Sequence, residues 1–165
     1  MSVLRFLMLL ALIVWIGGII FFAFVVAPSL FAVLPSPDLA GRVVSRSLSI
    51  LHWMGLISGA VFLLGSLVYN RIQHANPRLF SPVHWLIAAM LVLTAISQFG
   101  ITPALRRSRA ALTLGNVSSG ELMQRISAAR LRFDHLHTWS VRLEGGVLVL
   151  GLVAVALTAG RFSDS

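Results

Sequence analysis

The stretch FLMLLALIVWIGGIIFFAFVV, residues 6–26, contains no charged or amide side chain and has no polar face to turn to water. A hydrocarbon layer about 30 Å thick is crossed by about 20 helical residues at 1.5 Å rise each, which matches this run. Three further apolar runs of similar length follow, at about residues 50–69, 83–101 and 141–158. Within lipid every backbone polar group must be satisfied inside a helix or a closed barrel, so these runs read as four transmembrane helices. The expected fold is an all-α, integral membrane, antiparallel four-helix bundle. At 165 residues the chain makes one domain.

Composition supports the same class. Hydrophobic residues make up 58% and charged residues 11%, against about a quarter charged in soluble domains. Every basic side chain is arginine, which removes Schiff-base chemistry and a lysine general base. With no cysteine there is no disulfide, thiolate nucleophile or Cys-ligated zinc or iron–sulfur site. A net charge of +8 points to nucleic acid in a soluble protein; here the arginines cluster in loops, so anionic lipid head groups are the expected partner and nucleic acid is not. Met1-Ser2-Val3-Leu4-Arg5 resembles the start of a signal peptide. The apolar run behind it exceeds the roughly 7–15 residues of such a segment, and Pro28 follows the small Ala27, so an uncleaved first span is expected.

Helix boundaries are marked by hydroxyl–proline pairs. Ser36-Pro37, Ser81-Pro82 and Thr102-Pro103 each place a candidate N-cap before a proline, whose missing N–H is harmless in the first turn. Ser118 and Glu121 have capping-box spacing, and Gly115-Asn116 reads as a turn. Helical segments outside the bilayer are expected at about 37–49, 103–114 and 119–138, with a break or kink at Thr102-Pro103. In the last of these, Leu122, Ile126, Ala129 and Phe133 fall on one face, and Arg125, Arg130 and Arg132 fall elsewhere. All three extensions share the loop 1/loop 3 side. That side holds eight arginines against four on the other, which favours loops 1 and 3 in the cytoplasm of a bacterial inner membrane and both termini outside.

Small residues are the expected packing points: Gly17, Gly18, Gly55, Gly59, Gly145 and Gly146. Gly55-Leu-Ile-Ser-Gly59 is a GxxxG element that serves either packing within the bundle or a homodimer seam. Trp15, near mid-span, is expected to lie over glycines of a neighbouring helix. Trp53, Trp85 and Trp139 at span ends read as interfacial belt residues.

Polar groups at a span end are the sharper clue, because they are costly near hydrocarbon. Topology brings His52, Gln98, Thr102, His137, Ser140 and Glu144 to the loop 1/loop 3 mouth of the bundle. His137, Ser140 and Glu144 share a helical stripe by spacing, and His135 points elsewhere. Three readings are open. These groups cap and cross-link helix ends, with Glu144 held by Arg142 or another arginine; or they form a site for a small polar solute, a proton or a metal ion; or His52 and His137 ligate haem b or copper in a redox component. His84 lies at the opposite mouth. The chain carries no hydrolase triad, P-loop, paired catalytic carboxylates or zinc motif, so a non-enzymatic role is expected.

Trp15-x-Gly17-Gly18 with Pro28 and Phe31, Pro103 after span 3, and Phe133-x-x-Leu136-His137-x-x-Ser140 at the start of span 4 resemble the transmembrane protein 205-like family. These are small four-span proteins of unknown function, and the resemblance implies membrane traffic or transport. Where that family often has asparagine, this chain has Glu144. A fainter likeness, through Trp-x-Gly-Gly and membrane histidines, points to four-helix membrane proteins of copper resistance and haem biosynthesis.

Overall fold

The computed structural model describes residues 2–73, 81–113 and 120–163. The Gly115-Asn116 turn and the Ser118–Glu121 capping box lie outside what it describes. Among the described residues there are helices and no strands. The first helical rod is α1 (Ser2–Phe21), a π-helical turn (Phe22–Val26) and α2 (Ala27–Val33). The second is α3 (Pro37–Gln73). The third is α4 (Pro82–Ala95), a second π-helical segment (Ile96–Ile101) and α5 (Thr102–Thr113); the fourth is α6 (Gly120–Ser163).

Each rod contains a window long and apolar enough to cross a membrane. The protein is an integral membrane four-helix bundle. Neighbours in sequence are neighbours in space: α1 packs on α3, α3 on α4, α4 on α6, and α6 closes the ring on α1. Ile13, Phe24, Ile57, Leu64 and Val149 are exposed around the outside, as expected of surface that faces lipid tails. In water such a belt would far exceed the apolar patch a monomer tolerates.

The core is built on Trp15, 1% exposed, with Leu12, Ile16, Phe62, Ile87, Met90 and Val147 around it. Its indole lies on the glycine surface of α3. A Cβ added at Gly55 would stand 2.4 Å from Trp15 Nε1, and one at Gly59 would stand 2.8 Å from Trp15 Cζ3 and 2.6 Å from Leu91 Cδ2. The GxxxG face is therefore filled from within the chain, by Trp15 and Leu91. Gly18 is pressed by Leu51 and Gly151 by Ile16. Gly17 and Gly145 have nothing within 4 Å of an added Cβ, and Gly146 has only ordinary contact with Leu93, so close packing does not use these three.

Both π-helical segments end just before a proline. Proline has no N–H to donate and its ring clashes with the carbonyl four residues back, here Phe24 for Pro28 and Phe99 for Pro103. A wider turn moves that carbonyl aside without breaking the rod. The N–H of Ala27 donates to Phe22 O, and that of Thr102 to Ser97 O, each five residues back. Thr102 is thus mid-helix (φ −57°, ψ −47°) and is no N-cap. Its hydroxyl instead donates a second bond to Ser97 O at 2.9 Å. Thr102→Val is expected to lower stability by about 1 kcal/mol, the scale of one hydrogen bond, read from unfolding in a denaturing detergent. An unchanged midpoint would rule the hydroxyl out as part of the bulge. Of the other hydroxyl–proline pairs, Ser36 Oγ accepts from the Leu39 N–H at 3.2 Å. Ser81 has the extended backbone of an N-cap but makes no side-chain capping bond.

Outside the spans, α5 lies along the first part of α6. Arg109 ties this annex to α3. Its guanidinium crosses over Gly41, stands 3.8 Å from Asp38 and lies 5.1 Å from the Phe133 ring centre. Burial pulls its pKa below the ordinary arginine value, with Asp38 opposing and Arg42 adding to the shift. Arginine nonetheless remains the cation here.

Candidate functional site

Four polar side chains from three rods meet at the loop 1/loop 3 end of the bundle. Ser49 and His52 are three residues apart on α3 and so share a face. Gln98 comes from the second π-helical segment and Glu144 from α6. His52 is 2% exposed. Its Nδ1 is 3.0 Å from Gln98 Oε1, and its Nε2 is 2.5 Å from Glu144 Oε1. Gln98 Oε1 also accepts from Ser49 Oγ at 3.2 Å, and Gln98 Nε2 stands 3.0 Å from the same hydroxyl.

This geometry limits where protons sit. An amide oxygen only accepts, so Nδ1 carries a hydrogen toward Gln98. One further proton then lies between Nε2 and Glu144. A single charge enclosed here would be costly, and the pairing offsets that. His52 and Glu144 thus form one hydrogen-bonded pair that joins α3 to α6.

The structure brings three of the six candidate residues into contact. His52, Gln98 and Glu144 come together. Thr102 is buried but bonds its own helix. Ser140 is buried one turn before Glu144. His137 is exposed and stacks on Phe133, ring centres 6.1 Å apart. The covered stripe of α6 runs through Ile126, Ala129, Phe133, Leu136, Ser140, Glu144 and Val147. His137, four residues after Phe133 and three before Ser140, lies at the edge of this stripe and is exposed. His52 is buried with both ring nitrogens engaged, whereas His137 is exposed. Among the described residues no three His, Asp or Glu side chains gather where they could hold a metal ion. Glu144 is held by His52, whereas Arg142 lies over Trp139 at 5.7 Å from the ring centre.

Ser49 was not among the sequence candidates. Its signal was its position three residues before His52, on the same face. The role of Gln98 also depends on the π-helical segment, which shifts its azimuth relative to a regular helix. Alongside, Phe99 meets Trp53 edge-on at 5.8 Å. At the opposite mouth, Ser66 Oγ is 2.7 Å from His84 Nε2, and Arg5 Nε donates to Tyr69 Oη at 3.0 Å.

A family model described as a domain of unknown function, DUF4149, matches residues 10–112. The chain belongs to this DUF4149 family. The matched region contains both proline-linked π-helical segments, the Trp15–Gly55–Gly59 contact, Ser49, His52 and Gln98. Glu144 lies beyond it, so in this DUF4149 protein the carboxylate is supplied by a helix outside the matched region. No curated protein and no solved structure matches the chain.

Proposed function

We propose that this DUF4149 protein binds a small solute or ion at the loop 1/loop 3 mouth of its bundle and helps it move, without catalysing a reaction. The proton shared by His52 and Glu144 is the element exchanged on binding. The observation that carries this reading is one enclosed histidine with both ring nitrogens bonded, to groups from two other rods. Ionisable groups enclosed within membrane bundles are rare and often mark solute, ion or proton routes. The resemblance to the transmembrane protein 205-like family agrees with a role in transport or membrane traffic. The arginine bias of loops 1 and 3 favours this mouth on the cytoplasmic side of a bacterial inner membrane, near anionic lipid, with both termini outside.

The test is proton movement in liposomes that contain the purified chain and an internal pH dye. The wild type is expected to dissipate an imposed pH gradient faster than protein-free liposomes. Glu144→Gln and His52→Ala should slow that by about tenfold, equivalent to ~1.4 kcal/mol; His137→Ala should not. Dissipation that is absent in the wild type, or equal in all variants, would reject the reading. The cluster would then be a polar staple in a ligand-free assembly subunit, a role that its mutually satisfied hydrogen bonds also fit.

A further inference from the structure

On the arginine-rich side, α5 and α6 leave an open groove of about 550 Å³ between them. Arg107 and Ser108 on α5 line it with Arg132 and His135 on α6, and Leu131 and Leu136 add apolar wall. Arg107, Arg132 and His135 are exposed, and neither arginine is in a salt bridge with a described carboxylate. Leu131, 72% exposed, sets apolar surface beside the two guanidinium groups.

The hydrogen bonding of His135 is fixed by its neighbour. Trp139 Nε1 donates to His135 Nε2 at 3.0 Å, so a neutral His135 carries its proton on Nδ1 as a donor. The groove thus offers two guanidinium forks, an imidazole N–H and a hydroxyl. Planar guanidinium groups match phosphate oxygens in pairs.

Depth identifies the source of the phosphate. Arg107 follows Ile101, the end of span 3, by about 9 Å of helical rise, and His135 precedes Val141 by the same amount. The head-group layer adds about 5–8 Å on each side of the hydrocarbon, and arginine stems reach back several ångströms toward it. We infer that the α5–α6 groove binds the phosphate of an anionic phospholipid such as phosphatidylglycerol, with Leu131 and Leu136 against its apolar part. This site is separate from the His52 cluster and does not depend on the proposed transport role.

The test uses the full-length protein in phosphatidylcholine nanodiscs that carry a minority of phosphatidylglycerol. Native mass spectrometry then counts lipid retained after release into detergent. The wild type should retain phosphatidylglycerol in preference to phosphatidylcholine. The double variant Arg107→Gln/Arg132→Gln should lose that preference by about tenfold, on the order of 1.4 kcal/mol, with helix content unchanged by circular dichroism. Arg46→Gln/Arg130→Gln removes the same charge from exposed positions outside the groove and should retain it. Equal losses in the two double variants would replace the site with diffuse charge attraction. A wild type with no preference would overturn the proposal outright.

Discussion

Trp15→Ala is expected to destabilise the bundle by about 3 kcal/mol or more, within the range for large-to-small changes in a packed core. In a bilayer most of that loss is packing, because lipid tails are as apolar as the core. The indole has no replacement: it fills the surface between Gly55 and Gly59 and is almost fully enclosed. The complementary change makes the point sharper. Gly55→Ala would place a methyl 2.4 Å from Trp15 Nε1 and 2.8 Å from Cε2, atoms of a rigid ring rather than the end of a flexible chain. Overpacking of this kind costs about 1–3 kcal/mol. In a Trp15→Ala background the same methyl has room, so the two changes should couple by about 1–2 kcal/mol in a double-mutant cycle. The measurement is detergent-induced unfolding followed by helical circular dichroism. Additive effects would mean that the indole does not rest on Gly55 in the membrane.

The second large effect is expected at Glu144. Glu144→Ala leaves His52 Nε2 enclosed with no partner, and breaking one side of a buried pair costs about 3 kcal/mol. Glu144→Gln keeps a hydrogen-bonding group at that nitrogen and should cost about 1 kcal/mol. Adding His52→Ala to Glu144→Ala should recover part of the loss, because no orphaned group then remains. The same unfolding assay reads all three. If Glu144→Ala were as mild as Glu144→Gln, the carboxylate would be solvated rather than paired with His52. This stability result is separate from the proton-movement assay, so a staple without transport and a working proton site give different pairs of outcomes.

Much of the architecture was legible along the chain because it depends on local quantities. Four apolar runs set the number of candidate spans, and loop prolines set where α3 and α4 begin. The amphipathic pattern through Ile126, Ala129 and Phe133 marked the partly buried face at the start of α6. Continued by threes and fours, that pattern reaches Leu136, Ser140 and Glu144, and His137 as well, four residues after Phe133 and three before Ser140. Spacing alone therefore admits His137 to the stripe, and only its exposure in the folded chain sets it apart from Ser140 and Glu144.

Which polar groups meet was decided only by tertiary structure. His52, Gln98 and Glu144 are separated by 46 residues at the nearer pair and 92 at the farther, and spacing within one helix says nothing about rotation between helices. The π-helical segment before Pro103 changes the angular register of Gln98 by inserting a wider turn, an effect that a proline announces but does not orient. The glycines of α3 follow the same logic. GxxxG states that something comes close, and whether that is a second chain or an indole from α1 depends on the azimuth at which the first rod docks. Apolarity and helix termination are properties of a segment, whereas azimuth is a property of the packed bundle, where each residue step turns a side chain by about 100°.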